Sequence, residues 1–198
     1  MQRIGEIVAT SSNSLTAVSF RLHQPPPLGS LVKVEVEADQ RTVYAVVSFG
    51  TTTGLDPGRR VVRRSTEGVY DAAIYAEHPQ LEKTLRTEFQ ALLVGYAGPD
   101  GRIHQHLPPQ PPPLHYSVCA CDAHEVERFS QRCAYFRLLL EAAGELPSEQ
   151  LLAAHIRETY AARGEDEEWL ASAAHEVAAL LKGDYDRLMS LLQAIEPT

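Results

Sequence analysis

The chain has 198 residues, of which 44% are hydrophobic and 22% are charged, and these proportions are typical of a folded globular protein and exclude extensive disorder. Its apolar runs are too short for a membrane-spanning helix and its first residues lack the apolar stretch of a secretion signal, so we expect a cytoplasmic protein without membrane insertion. The net charge of −8 arises entirely in residues 122–198, which hold 7 Lys and Arg against 15 Asp and Glu, and so acidic a segment is a poor surface for nucleic acid.

Residues 1–66 are predicted to form a small β-barrel. The clearest strand is residues 31–37, where three valines alternate with charged side chains, the period of a strand with one buried face. Other β-rich runs are separated by turn residues, and the last candidate strand covers residues 59–64. Five or six short strands at this spacing favour a small closed barrel.

Residues 67–121 read as a mixed helix and strand segment. Pro79 is suited to the first turn of a helix, and an apolar strand follows over residues 91–96. A strong turn signal lies at residues 98–101. The proline-rich run at residues 108–113 matches ligands of aromatic grooves, but its place between two predicted strands favours a stiff connector.

Residues 122–198 are predicted to form helices. Asp122 and Glu125 have the spacing of a capping box, and apolar residues then recur every three or four positions. The predicted fold class is therefore α+β, with a small N-terminal β-barrel (1–66), a mixed α/β middle segment (67–121) and a C-terminal acidic helical bundle (122–198). The predicted helices cover residues 122–143, 148–164, 165–183 and 184–195.

No nucleotide-hydrolysing motif is present in the sequence. A phosphate loop needs Gly-x-x-x-x-Gly-Lys-Ser/Thr, in which glycines let the backbone cradle phosphates and the lysine reaches the outer ones. The lysines of this chain are Lys33, Lys83 and Lys182, and none follows a glycine. The Gly-x-Ser-x-Gly nucleophile motif is also absent. We therefore predict no catalytic residue, no cofactor and no enzymatic activity.

Histidine and cysteine residues concentrate between positions 104 and 124. The candidate zinc ligands are His104, His106, His115 and Cys121, and the first two would share one face of a strand. Zinc is the metal that nitrogen and sulfur donors favour. The spacing fits no common zinc motif, however, and a free cysteine behaves as a small hydrophobic residue. A structural role is therefore preferred, and no metal site is predicted.

Arg59, Arg60, Arg63 and Arg64 form a basic cluster. Arginine forks bind phosphates and carboxylates, so these residues are the candidate partner-binding residues. On a two-faced strand, however, the four side chains cannot all point one way. A solvated barrel surface is the simpler interpretation, and contact with the acidic helical part of a neighbouring subunit is the alternative.

Three short motifs in the first third of the chain follow a recognisable order. They are Ile-Gly-Glu-Ile-Val at residues 4–8, Pro-Leu-Gly-Ser-Leu-Val-Lys-Val at residues 27–34 and Val-Tyr-Ala-Val-Val at residues 43–47. This order resembles the HAS barrel, the HerA–ATP synthase barrel, although Ala45 stands where the family pattern has glycine. Residues 51–61 are also similar to the last turn and strand of the N-terminal barrel in rotary ATP synthase catalytic subunits.

The whole chain, including residues 77–82 and 107–112, looks like stand-alone HAS-barrel proteins of cyanobacteria and related bacteria. In the larger family the barrel precedes a ring-forming ATPase, holds neighbouring subunits together as a crown and docks partners. The resemblance therefore implies a non-enzymatic protein-interaction or assembly module. It would act as a homo-oligomer or bind a protein partner such as a separately encoded ring ATPase.

Two alternatives to an interaction module stay open. One is a DNA-processing accessory to a HerA-like ATPase, which would contact nucleic acid through the arginines of residues 59–64. The neutral charge balance of residues 1–121 does not favour it. The other is a metal-dependent hydrolase that uses His104, His106 and His115.

Overall fold

The structure is a computed structural model that describes residues 2–56 and 61–195. Within these ranges it is a mixed α+β protein. The strands are β1 (Gln2–Thr10), β2 (Ser14–Ser19), β3 (Leu31–Val36), β4 (Arg41–Gly54), β5 (Leu85–Ala97), β6 (Ile103–His104) and β7 (Ser117–Ala120). The α-helices are α1 (Ala72–Glu77), α2 (Leu81–Thr84), α3 (Ala123–Phe129), α4 (Phe136–Leu140), α5 (Ser148–Ala162), α6 (Glu167–Leu180) and α7 (Tyr185–Ile195). None of these helices is both long and apolar enough to cross a bilayer.

Six strands close into an antiparallel barrel in the order β2-β1-β7-β3-β4-β5, with β5 pairing back onto β2. The sequence-based prediction was a closed barrel formed by residues 1–66 alone. Instead, the hairpins β1–β2 and β3–β4 leave open edges, which β5 and β7 cover from later in the chain. An uncovered edge exposes unpaired backbone groups, so the first four strands need these two later strands. Residues 61–64 lie outside any strand, and Arg59 and Arg60 lie outside the described residues.

Side chains fill the interior of the barrel. Val43, Ala45 and Val47 of β4 point inward with Phe89 of β5 and their exposed fractions are 1% or less. Phe89 packs so closely on β1 that a Cβ at Gly5 would lie 2.9 Å from its ring. The interior of the barrel is therefore a packed core of side chains.

Helices cover one side of the outer barrel wall. Tyr44 and Val46 alternate with the inward residues of β4 and join a second core with residues of α3 to α7. Helix α5 lies at the centre of this layer and contacts α3, α4, α6 and α7. The strands β4 and β5 are thus buried on both faces where the helices lie.

The predicted helix over residues 122–143 is two helices, α3 and α4. The capping box is confirmed, since Asp122 Oδ1 accepts from the Glu125 amide at 2.9 Å and Glu125 Oε2 accepts from the Asp122 amide at 3.0 Å. Helix α3 ends at Phe129, and side chains from elsewhere satisfy the carbonyls at its end: Trp169 Nε1 donates to Ser130 O at 2.8 Å, and Gln105 Nε2 donates to Phe129 O at 2.7 Å. The three- and four-residue spacing continues across this break because residues on both sides face the same core.

The later helices agree with the sequence-based prediction. Helices α5, α6 and α7 start and end close to the predicted positions. Asp166 caps α6 by accepting from the Trp169 amide at 2.9 Å, but Ser148 is the first residue of α5 and does not cap it. The chain turn after α5 is made by Gly164, whose φ of 72° is positive.

The middle segment differs in where strand replaces helix. The sequence predicts strand only over residues 91–96, but β5 already begins at Leu85, so Phe89 is a barrel residue. The turn predicted at residues 98–101 is confirmed, and the Gly101 amide donates to Gly98 O at 2.9 Å. Residues 108–113 lie outside helices and strands, between β6 and β7.

A hydrogen-bonded chain joins the barrel to the helices. The Gly29 carbonyl, on the loop before β3, accepts from His155 Nδ1 of α5 at 2.6 Å. The other imidazole nitrogen, Nε2, then accepts from the Tyr135 hydroxyl at 2.7 Å. Burial lowers the pKa of His155 to about 4 despite the bond to the Gly29 carbonyl. The imidazole is therefore neutral in the folded protein at neutral pH.

Candidate protein-docking surface

One end of the β4–β5 hairpin projects beyond the barrel. The pairing of β4 with β3 ends at Val46, whereas its pairing with β5 continues to Gly54, opposite Leu85. On the other side, the pairing of β5 with β2 reaches only to Glu88. The end of this strand pair, at Gly54 and Leu85, is therefore a two-stranded ribbon that neighbouring barrel strands do not flank.

An apolar groove of about 420 Å³ lies beside this ribbon. Val61 and Val62 are exposed by 62% and 61%, and Leu55 by 49%. Single exposed apolar residues are common, but a contiguous patch marks an interaction surface. We call this surface the hairpin groove, and its apolar lining comprises Leu55, Val61, Val62, Ile74, Tyr75, Leu81 and Leu85.

Hydrogen bonds hold one wall of the hairpin groove against the barrel. The Tyr75 hydroxyl bonds to His23 Nε2 at 2.5 Å, and the His23 amide donates to Thr87 Oγ1 at 2.7 Å. The Leu55 amide donates to Thr84 O at 2.9 Å. Helix α1 is thus attached to β5 through the loop after β2, so the groove does not depend on packing of α1 alone.

One of the four arginines predicted to bind a partner lies in the lining of this groove. Arg64 and Lys83 line it, and Arg63 is exposed next to it in the chain. Arg59 and Arg60 lie outside the described residues. Asp56 lines it as well, so the groove combines an apolar floor with two basic groups and one carboxylate at its edge.

The candidate metal ligands lie in separate surroundings. The His104 and His106 rings are 5.6 Å apart, centroid to centroid, and both contact Tyr96. His115 instead bonds to Glu6 Oε1 at 2.7 Å. Across residues 2–56 and 61–195, no three His, Cys, Asp or Glu side chains are grouped as metal ligands. The sequence indicates the two neighbouring histidines, but His115 and Cys121 do not complete a site with them.

The three cysteines are protonated at neutral pH. Burial raises the pKa of Cys121, and the negative charge of Glu125 adds to this effect. Burial also raises the pKa of Cys119 and raises that of Cys133 to about 12. Because the thiolate is the nucleophile and the metal ligand, none of these thiols is activated for either role.

The sequence-based candidates include Arg64 of this surface but neither Lys83 nor the apolar residues. The sequence pattern places Val61 and Val62 on a barrel strand, which would bury one of them. A usable signal is the shortness of the helical segments: α1 and α2 have six and four residues and bury none of them fully. Segments this short cannot hide Ile74 or Leu81 within a core of their own.

Comparison with known protein families and with curated proteins finds no match to this chain.

Proposed function

We propose that the chain is a non-enzymatic assembly module that docks a second copy of itself through the hairpin groove. The observation that carries this proposal is the contiguous apolar lining left open beside the projecting ribbon, with basic groups at its edge. The packed barrel interior leaves outer surfaces as the means of binding.

The apolar lining supplies the driving force for docking. Val61 and Val62 are each more than half exposed, and burying such a side chain contributes on the order of 1 kcal/mol. Several neighbouring side chains that become buried together would offset part of the entropy that association costs. The valines are therefore expected to be the main contributors to affinity.

The charge at the groove edge indicates which surface of the second copy binds. Arg64 and Lys83 line the groove together with the single carboxylate of Asp56, so its lining has an excess of positive charge, whereas residues 122–198 carry the whole net charge of −8. Glu167 and Glu168 in the first turn of α6 are exposed acidic groups of this helical part. Complementary charge orients association and accelerates it, so the acidic helices of the next copy are the expected occupant.

A groove that binds a different surface of the next copy makes a heterologous contact. Such contacts close into rings or continue as filaments. The HAS-barrel resemblance supports the ring, since barrels of that family hold subunits together as a crown. We therefore expect a closed ring of this chain, which could also sit on a separately encoded ring ATPase.

Light scattering coupled to size-exclusion chromatography tests this assembly. The wild-type chain should elute with a mass of several times 21.9 kDa, and Val61→Glu/Val62→Glu should elute as a monomer. The matched control Val8→Glu/Leu114→Glu replaces two apolar residues that are exposed elsewhere and should keep the wild-type mass. A monomeric wild type, or an oligomer that survives Val61→Glu/Val62→Glu, contradicts the proposal.

A further inference from the structure

A second groove, of about 720 Å³, lies between the β5–β6 hairpin and the turn that joins α3 to α4. Its lining contains three arginines and neither Asp nor Glu, in a chain whose net charge is −8. We call it the arginine groove, and its polar lining comprises Arg102, His104, Gln105, Arg128, Gln131 and Arg132. Such a local excess of positive charge is the reverse of the charge of the whole protein.

The positive charge of this groove is not neutralised within the described chain. Arg163 and Arg187 pair with carboxylates of Asp166 and Glu149. In contrast, no ion pair found among residues 2–56 and 61–195 includes Arg102, Arg128 or Arg132. Most surface arginines lose little by being unpaired, but three that converge on one concave surface create a field that attracts an anion.

Hydrogen bonds fix the backbone that carries these arginines. Gln105 Nε2 donates to Phe129 O and to Arg132 O, each at 2.7 Å. On the opposite side, Arg128 Nη2 donates to Gly101 O at 3.2 Å. The hairpin turn and the α3–α4 turn are thus joined at two places, which holds the two walls of the groove together.

The packing beneath the groove is equally specific. A Cβ at Gly95 would lie 2.4 Å from His104 O and 2.9 Å from the Phe129 ring. The absence of that side chain lets β6 and the end of α3 approach β5 closely. Because the walls rest on buried Phe129, the arginines need little rearrangement of the backbone to receive a ligand.

We infer that the arginine groove binds a small phosphate-bearing molecule. Guanidinium groups present pairs of donors that match phosphate oxygens, and several of them can share one multiply charged anion. The groove volume of about 720 Å³ falls within the range of small-molecule sites. A long nucleic-acid strand fits less well, since the surrounding surface of a chain with net charge −8 repels a polyanion.

Isothermal titration calorimetry with pyrophosphate tests this inference on the full-length chain. Arg102→Gln/Arg132→Gln removes two guanidinium groups that make no side-chain bond within the described structure, so the fold should persist. Arg137→Gln/Lys182→Gln removes the same charge at exposed positions outside the groove. Wild type and this control should bind pyrophosphate alike, and the groove variant should bind about tenfold more weakly or not at all.

The same titration with a short single-stranded oligonucleotide distinguishes the source of the phosphate. Oligonucleotide binding weaker than pyrophosphate binding is expected. The inference is wrong if wild type binds no pyrophosphate, or if both double variants lose affinity equally, because the attraction would then be diffuse. It is also wrong if the oligonucleotide binds more tightly than pyrophosphate and Arg102→Gln/Arg132→Gln abolishes that binding.

Discussion

The two ends of the β4–β5 hairpin have different surroundings. At one end, Tyr44 and Val46 point outward from the barrel but are covered by the helices and buried. At the other end, the hairpin projects past its neighbouring strands, and Val61 and Val62 beside it are more than half exposed. The covered end therefore stabilises the fold, whereas the open end has apolar surface that the fold does not use. Substitutions at the two ends should separate stability from association.

Gly29→Ala should give the largest loss of stability. Gly29 lies at the junction where the loop before β3 contacts helix α5, next to the covered end of the β4–β5 pair. Gly29 has a φ of 85°, and a Cβ there would lie 2.4 Å from the His155 amide nitrogen of α5. The helix would have to move away from the barrel, and we expect a loss of at least about 3 kcal/mol in the free energy of unfolding, measured by urea denaturation.

Gly68→Ala is the matched control for backbone strain. Gly68 has a φ of 83°, but a Cβ added there would meet no atom within 4 Å, so this variant should lose only about 1 kcal/mol. Equal losses in the two variants would show that backbone strain, rather than contact with α5, determines the cost at Gly29.

The buried imidazole at the same junction should make stability depend on pH. His155 has a folded-state pKa of about 4 against an ordinary value of 6.5, so the unfolded chain takes up its proton first as the pH falls. The contribution of neutral His155 to the free energy of unfolding is therefore fully present above pH 6.5, and about 3 kcal/mol of it should be lost by pH 4. Urea denaturation at several pH values measures this slope.

His155→Gln should remove this part of the slope, whatever its effect on stability at neutral pH. His175→Gln, at an exposed position of α6, should leave the slope unchanged. A slope between pH 6.5 and pH 4 that persists in His155→Gln would assign the pH dependence to other groups.

A pair of equal substitutions compares the two ends directly. Val46→Ala removes two methyl groups from a fully buried site and should cost about 2 kcal/mol of unfolding free energy. Val62→Ala removes the same atoms from a site exposed by 61% and should change the stability of the dissociated chain by less than about 0.5 kcal/mol. Urea denaturation of both variants at low protein concentration provides the measurement. Similar losses of unfolding free energy in the two variants would contradict the distinction between the covered end and the open end.

The local patterns of the fold could be predicted from the sequence, but the non-local pairings could not. Alternating valines in β3 and the capping pair Asp122 and Glu125 each depend on neighbours a few residues away. Phe89 follows Leu81 and Leu85 at helical spacing, and only its pairing with β2 and β4 makes it a barrel residue. Closure by β5 and β7 depends on such distant pairings, which no short window of sequence contains.

The candidate sites show the same limit. The arginines of residues 59–64 are adjacent in sequence and can be recognised there, whereas the exposure of Val61 and Val62 follows from β5 occupying the barrel edge in their place. The three arginines of the second groove are Arg102, Arg128 and Arg132, and they come together only because the β5–β6 hairpin lies against the α3–α4 turn. Because Arg102 is far from the other two along the chain, the sequence alone does not predict that cluster.

Photo-crosslinking from position 62 tests the central claim most directly. A photoreactive amino acid replaces Val62, isotopically heavy and light chains are mixed, and cross-linked peptides are identified by mass spectrometry. Docking through the open end predicts links between heavy and light chains that join position 62 to peptides of α6 or α7. Links confined to single chains, or links from position 62 to the hairpin groove of the second copy, would contradict it.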